Sequence, residues 1–208
     1  MQDPDRADVY ALLAMLWLEP QGQALAALPG APPWPAPHLG DAARAWSALQ
    51  QAAERCAHSA ADEFGALFVS AGNPRLNPYE CFYVAGCLMD KPLALLRSDL
   101  QALGLARREG ATELEDHLGA LCEAMRLLIE RGADTLQQAG FFERHLGGWA
   151  GACLDDTRHA AGADFYRALA DFTGAFFAAE AGRFGLEPVA VAGEGPTAHQ
   201  RRTGALQP

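Results

Sequence analysis

The sequence predicts an all-α fold, a single-domain helical bundle, and three observations lead there. Apolar residues recur three and four positions apart through most of the chain, as they must when one face of each helix is buried. No segment alternates apolar and polar residues for long enough to make a half-buried strand. Prolines, glycines and capping residues fall between the periodic stretches, where helices start and stop. With 208 residues, 50% of them hydrophobic, the chain can bury a full core within one domain.

Asp3-Pro4 supplies a cap and a first-turn proline, and Val9, Leu12, Leu13, Leu16 and Trp17 follow at helical spacing, which predicts a first helix ending near Leu18. Leu28 to His38 holds five prolines and must be an irregular connection, with Trp34 expected to pack back on the core. The pattern is helical again from Asp41 to about Ser70, with a break near Ser59, where Ser59 and Asp62 form a capping signal. Pro92 sits where a first helical residue belongs; Leu93, Leu96, Leu100 and Leu103 keep the period, and Gly104 stops it. Thr112 and Glu115 read as a capping box for a helix whose stripe is Leu114, Leu118, Leu121, Met125 and Leu128, ending at Gly132.

A further helix is expected to reach His145, be interrupted at Gly147-Gly148, and resume as a shorter helix carrying Trp149. The last helix should run from about Gly162 to Gly182 with Phe165, Leu169, Phe172, Phe176 and Phe177 inward. The helical domain is thus expected over 1–187. Residues 188–208, "PVAVAGEGPTAHQRRTGALQP", form a Gly/Pro-rich tail expected to be flexible unless a partner orders it.

Sixteen basic residues against 26 acidic ones give a net charge of −10, which disfavours nucleic acid and anionic membrane surfaces and favours basic partners. The N-terminus is acidic and polar, and no run approaches the ~18 apolar residues of a spanning helix, so a cytoplasmic location without membrane insertion is expected. Cys56, Cys81, Cys87, Cys122 and Cys153 are scattered without a C-x-x-C, indicating neither a zinc cage nor a disulfide framework.

Enzyme signatures are wanting. There is no phosphate-binding G-x-x-x-x-G-K-[ST] and no G-x-S-x-G. "VAVAGEGPTA" imitates a dinucleotide fingerprint, but only ten residues follow Ala198 and Pro196 sits in the turn. A di-iron bundle needs two Glu-x-x-His pairs; the chain offers Glu54/His58, Glu113/His117 and Asp156/His159 at other spacings. No metal, no cofactor and no catalytic residue is therefore expected.

Two segments invite a functional reading. In "NPRLNPYECFYVAGCLMD", Pro74 and Pro78 keep the chain extended and Pro78, Tyr79, Glu80, Phe82 and Tyr83 could wall a groove for an apolar peptide with a positive end; the alternative is a hydrophobic plug. In "ELEDHLGALCEAM", Asp116 and His117 lie together at the margin of an apolar stripe. They suit a binding site, but equally an acid complementing a helix dipole beside a core histidine.

These segments, with "FFERHLGGWAGACLDD" and "ADFYRALADFTGAFFAAE", resemble in order and spacing the TorD/DmsD family of cytoplasmic redox-enzyme maturation chaperones, to which the nitrate reductase chaperone NarJ is related. The resemblance covers roughly residues 5 to 182. It implies an all-helical, non-catalytic protein that binds the twin-arginine signal peptide, and with it the apo form, of a molybdenum- or tungsten-cofactor oxidoreductase or an associated subunit until the cofactor is inserted. A monomer or weak homodimer is expected. Carried over by motif, Asp116 and His117 would lie in the peptide-binding region, with Pro78, Tyr79, Glu80 and Tyr83 as further wall. The chain departs from the pattern at Cys81, where many members have Ser, and at Leu121-Cys122-Glu123-Ala124, where many have Leu-Glu-Phe. Two other classes stay open: an assembly scaffold without leader specificity, and a helical-bundle enzyme using Asp116 and His117.

Overall fold

A computed structural model describes residues 1–18, 22–35, 40–69 and 74–187, and within them the chain is all-α. The helices are α1 (Asp3–Leu18), α2 (Gly22–Ala27), α3 (Gly40–Arg55), α4 (Ala60–Phe68), α5 (Glu80–Ala85), α6 (Lys91–Ala102), α7 (Leu118–Glu130), α8 (Thr135–Phe142), α9 (Ala150–His159) and α10 (Phe165–Phe184). The tail from Pro188 to Pro208 lies outside the described residues, as does Ser70 at the expected end of the second helical stretch.

Helix α10 is the axis of the bundle, because its apolar residues are not confined to one stripe. Phe165, Leu169, Phe172, Phe176 and Phe177 are all fully buried, and α3, α4, α8 and α9 pack around it. Each ring contributes about 2 to 3 kcal/mol by leaving water. Trp34 returns from the proline-rich connection to meet Trp46 and Phe172, as its sequence position suggested. The N-terminus of α10 is closed from outside: the Glu63 carboxylate accepts the backbone N–H groups of Asp164, Phe165 and Tyr166, placing a negative charge at the positive end of the helix dipole.

Helix α1 lies along α7, and the approach is close. A Cβ on Gly119 would stand 2.7 Å from Cγ of Leu18 and 3.0 Å from the Ala14 carbonyl, so only glycine fits there. At its other end α1 is tied to α10 by a sealed ion pair: Arg6 donates from Nε and Nη2 to the two Glu180 oxygens at 2.8 and 2.6 Å, and Tyr10 donates to Oε2 at 3.1 Å.

Several boundaries differ from the sequence reading. Helix α7 begins at Leu118, not after Thr112, because both Glu115 oxygens are taken by Arg97 at 3.0 and 2.9 Å and are not free to close a capping box. Ser59 precedes α4 without a side-chain cap bond. The expected interruption at Gly147-Gly148 is preceded by one π-helical turn, Glu143–Gly147, and Trp149 stands just before α9. Within the proline-broken segment, Glu80–Ala85 form a short helix, closed by Gly86 at φ 78°.

Candidate functional site

The extended residues before α5 are fastened to the start of α7 through the backbone. Glu80 N–H donates to the Asp116 carbonyl (2.9 Å), and Leu118 N–H donates to the Pro78 carbonyl (2.8 Å). The Asp116 carboxylate adds to this clasp by accepting the Cys81 N–H at 3.0 Å. His117 caps α7: its Nδ1 accepts the Gly119 N–H at 3.1 Å, which requires a neutral ring. Burial favours that form, holding the imidazole down to a pKa of about 3. The Tyr79 ring meets His117 edge-on, with centroids 4.9 Å apart, and its hydroxyl donates to Glu113.

The residues named from sequence are thus brought together, with less open surface than a groove wall needs. Asp116 is 0% and His117 4% exposed. Pro78 and Phe82 are buried, while Tyr79 and Tyr83 are half-buried. Tyr83 stacks on Trp149 with centroids 5.6 Å apart and donates to Asp156 at 3.0 Å. The aromatics of the opening segment mainly nail it to the bundle.

Glu80 is buried as well, at 5% exposure, but it lines a cleft of about 460 Å³ between α5, α6 and the Glu143–Gly147 turn. His145 lies across the floor of that cleft, with Nδ1 3.3 Å from Glu80 Oε2 and Nε2 3.0 Å from Asp99 Oδ2, and Arg144 Nε donates to the same Asp99 oxygen at 2.9 Å. A neutral imidazole has a proton on only one nitrogen, so facing two carboxylates favours the cation. Burial lowers the His145 pKa, but the two carboxylates outweigh it and the net shift is upward. Glu80 is raised by its own burial in spite of His145, whereas the bond from His145 lowers the more open Asp99.

The two helices that flank this cleft are built alike. On α5, Glu80 and Val84 are four residues apart; on α6, Leu95 and Asp99 are four apart; each helix therefore presents one acid and one aliphatic side chain on a common face. Val84 is 59% and Leu95 66% exposed, and the connecting turn adds Leu88 and Met89. Met89 has φ 59°, a left-handed conformation that a long side chain adopts only at some cost and that is frequent at working surfaces. Exposed large aliphatic residues near carboxylates make this a candidate interaction face.

Val84, Leu88, Met89, Leu95, Asp99 and His145 were not singled out from sequence. A signal for one of them existed: Leu95 falls off the Leu93, Leu96, Leu100 stripe, so a bundle that buries the stripe must leave Leu95 outside.

A second, larger cleft of about 730 Å³ lies between α1, α7 and the segment before α7. Its rim mixes Arg107, Arg108 and Arg126 with Glu113, Glu115 and Glu123. Arg126 is held by Glu123 and Glu130, and Arg107 by the carbonyls of Ala111 and Glu113. Arginines thus border both clefts and are held by partners within the protein, Arg126 by glutamates here and Arg144 by Asp99 in the smaller cleft.

The described residues form a helical bundle with exposed aliphatic side chains on α5, α6 and the turn between them, and contain no group of three or more metal-binding side chains. Residues 36–155, more than half of the chain, match the family model of the nitrate reductase delta subunit, and the chain belongs to that family. Its members are chaperones of nitrate reductase maturation rather than catalysts, in accord with the resemblance carried by the motifs. No curated protein matches the chain. Among the described residues no helix is long and apolar enough to cross a membrane.

Proposed function

We propose that this redox-enzyme chaperone acts in the cytoplasm by binding the twin-arginine signal peptide of a molybdenum- or tungsten-cofactor oxidoreductase, or of an associated subunit, until cofactor insertion is complete. The observation that carries this reading is the α5/α6 cleft, where exposed Val84 and Leu95 line the same cleft as Glu80 and Asp99, with Leu88 and Met89 also exposed on the connecting turn. A leader consists of paired arginines ahead of an apolar segment, and this face offers aliphatic contact with carboxylates at its edge. The chain's net charge of −10 adds long-range attraction for such a ligand.

In this reading Pro78, Tyr79, Phe82 and Tyr83, with Asp116 and His117 behind them, form the buttress that fixes α5 against α7, and Glu80 is the residue of that group which reaches the ligand side. The client is taken up as an apo subunit through its leader. Calorimetry of the protein against a twin-arginine leader and against its scrambled sequence tests the proposal. Tighter binding of the leader is expected, and equal binding of both would remove leader recognition.

A further inference from the structure

Helix α6 is held to the bundle mainly through α5. It lies between two left-handed residues, Met89 at φ 59° and Gly104 at φ 68°. Pro92, Leu93 and Leu96 on its inner face are buried, but its side-chain ties to more distant elements are charged: Arg97 to Glu115, and Asp99 to His145 and Arg144. The Asp99 tie runs through the floor of the smaller cleft.

The three groups of that tie have unequal alternatives. Glu80 is 5% exposed, and among the described residues its carboxylate has no hydrogen-bond partner other than His145. Asp99 keeps Arg144, and its side chain is 32% exposed, so water reaches it. The imidazole can serve both carboxylates only while each nitrogen carries a proton. A neutral ring keeps one. That proton belongs with Glu80, because an ionised carboxylate left alone in the interior costs far more than one that water can solvate. Nε2 then turns a lone pair toward Asp99, and attraction to α6 becomes repulsion. Two further charges act on the trio: Asp116, behind Glu80, favours a proton there, and Arg144 favours the ionised Asp99. The Phe141 ring beside His145 and the Trp149 N–H on its carbonyl carry no charge.

We propose that His145 is the positioning residue of the α5/α6 cleft, a proton-operated clasp that sets α6 against α5 when charged and frees α6 when neutral. Val84 stands on α5 and Leu95 on α6, so a peptide that contacts both binds the clasped form and is released as pH rises. That coupling rests on the leader-binding reading; the clasp does not. Opening falls above about pH 6.5, since burial lowers the imidazole's pKa but the two carboxylates more than offset it.

Hydrogen exchange read by mass spectrometry compares the native chain with His145→Gln and Asp99→Asn at about pH 6, where the native ring is charged. The amides of 95–103 should exchange about fivefold faster or more in both variants, with α7 unchanged. In the native chain the protection of 95–103, relative to the intrinsic rate, should fall about fivefold between about pH 6 and about pH 8.5, and in the variants it should stay level. If glutamine is not tolerated at the buried position, the half-exposed Asp99 variant carries the comparison. Equal exchange of 95–103 in native and variant chains, or native protection that stays level with pH, overturns the clasp.

Calorimetry with a synthetic twin-arginine leader, N-acetylated and free of histidine, reads the coupling. Native affinity should fall about fivefold over the same pH range, and the variants should bind weakly at both ends of it. His117, with its pKa held down to about 3, stays neutral throughout and does not contribute. If α6 loosens as stated but the leader binds no tighter than its scrambled sequence at any pH, the clasp stands and the leader-binding reading falls. If α6 loosens and the leader binds specifically with one affinity across the range, the coupling is overturned and the leader is received away from this cleft.

Discussion

Two histidines, His117 and His145, separate the region that holds this molecule together from the region that faces outward. Both are almost completely buried, at 4% and 3% exposure. His117 has an apolar surround and a backbone N–H to accept, so burial keeps it neutral. His145 has a carboxylate at each nitrogen, and they favour its cation against the pull of burial. Depth alone therefore does not assign a role. What matters is the partner: one ring caps a helix, and the other ties Glu80 to Asp99 in the floor of an open cleft.

The largest test of this contrast is His117→Ala, which removes a helix cap and leaves a cavity, for an expected loss of about 2 to 4 kcal/mol in urea unfolding. Leader affinity, measured where the variant is fully folded, should change less than twofold; a tenfold loss would move His117 into the ligand contact. Asp116→Ala should lower stability by about 1 to 3 kcal/mol by stranding the buried Cys81 N–H. Retention of the native urea midpoint would show that the clasp is dispensable.

On the outward side, Leu95→Arg should leave stability within about 0.5 kcal/mol and weaken the leader about tenfold, since Leu95 is exposed and lost apolar contact is joined by a cation that repels the leader's arginines. Unaltered leader affinity would shift the candidate face elsewhere, with the larger cleft between α1 and α7 as the next place to probe.

The pH dependence sharpens the comparison further, because the two rings act in opposite directions. His117 has a folded pKa of about 3, below the unfolded value near 6.5, so its contribution is present above pH 6.5 and is lost as pH falls toward 3. His145 is raised in the fold, so its contribution is present below the unfolded value and is lost as pH rises through the folded one. His117→Asn, which keeps an acceptor for Gly119, should flatten the acid side of the stability profile. His145→Gln should give the smallest effect, a flattening of the slope just above pH 6.5. If each variant altered the opposite limb, the assignment of the two rings would be reversed.

Much of the fold was legible because helical periodicity and its breakers are local. The bounds of α1, the stop at Gly104, the inward phenylalanines of α10 and the return of Trp34 all follow from neighbours in sequence and agree with the structure. The same local reasoning failed at Thr112-Glu115, where a capping pattern was present but Arg97, from another helix, claimed the carboxylate.

For the candidate face the division is sharper. The sequence by itself determined that the chain is helical, acidic and lacking the common nucleotide-binding and hydrolase signatures, and that its motifs resemble a family of maturation chaperones. It also placed Asp116, His117 and the Pro78–Tyr83 segment together. Only the tertiary structure decided that this group turns inward, because burial depends on what packs over a residue from distant parts of the chain. It alone brought Asp99 and His145, 46 positions apart, into contact beside Leu95, since a charge network closes through space and leaves no periodic trace along the sequence.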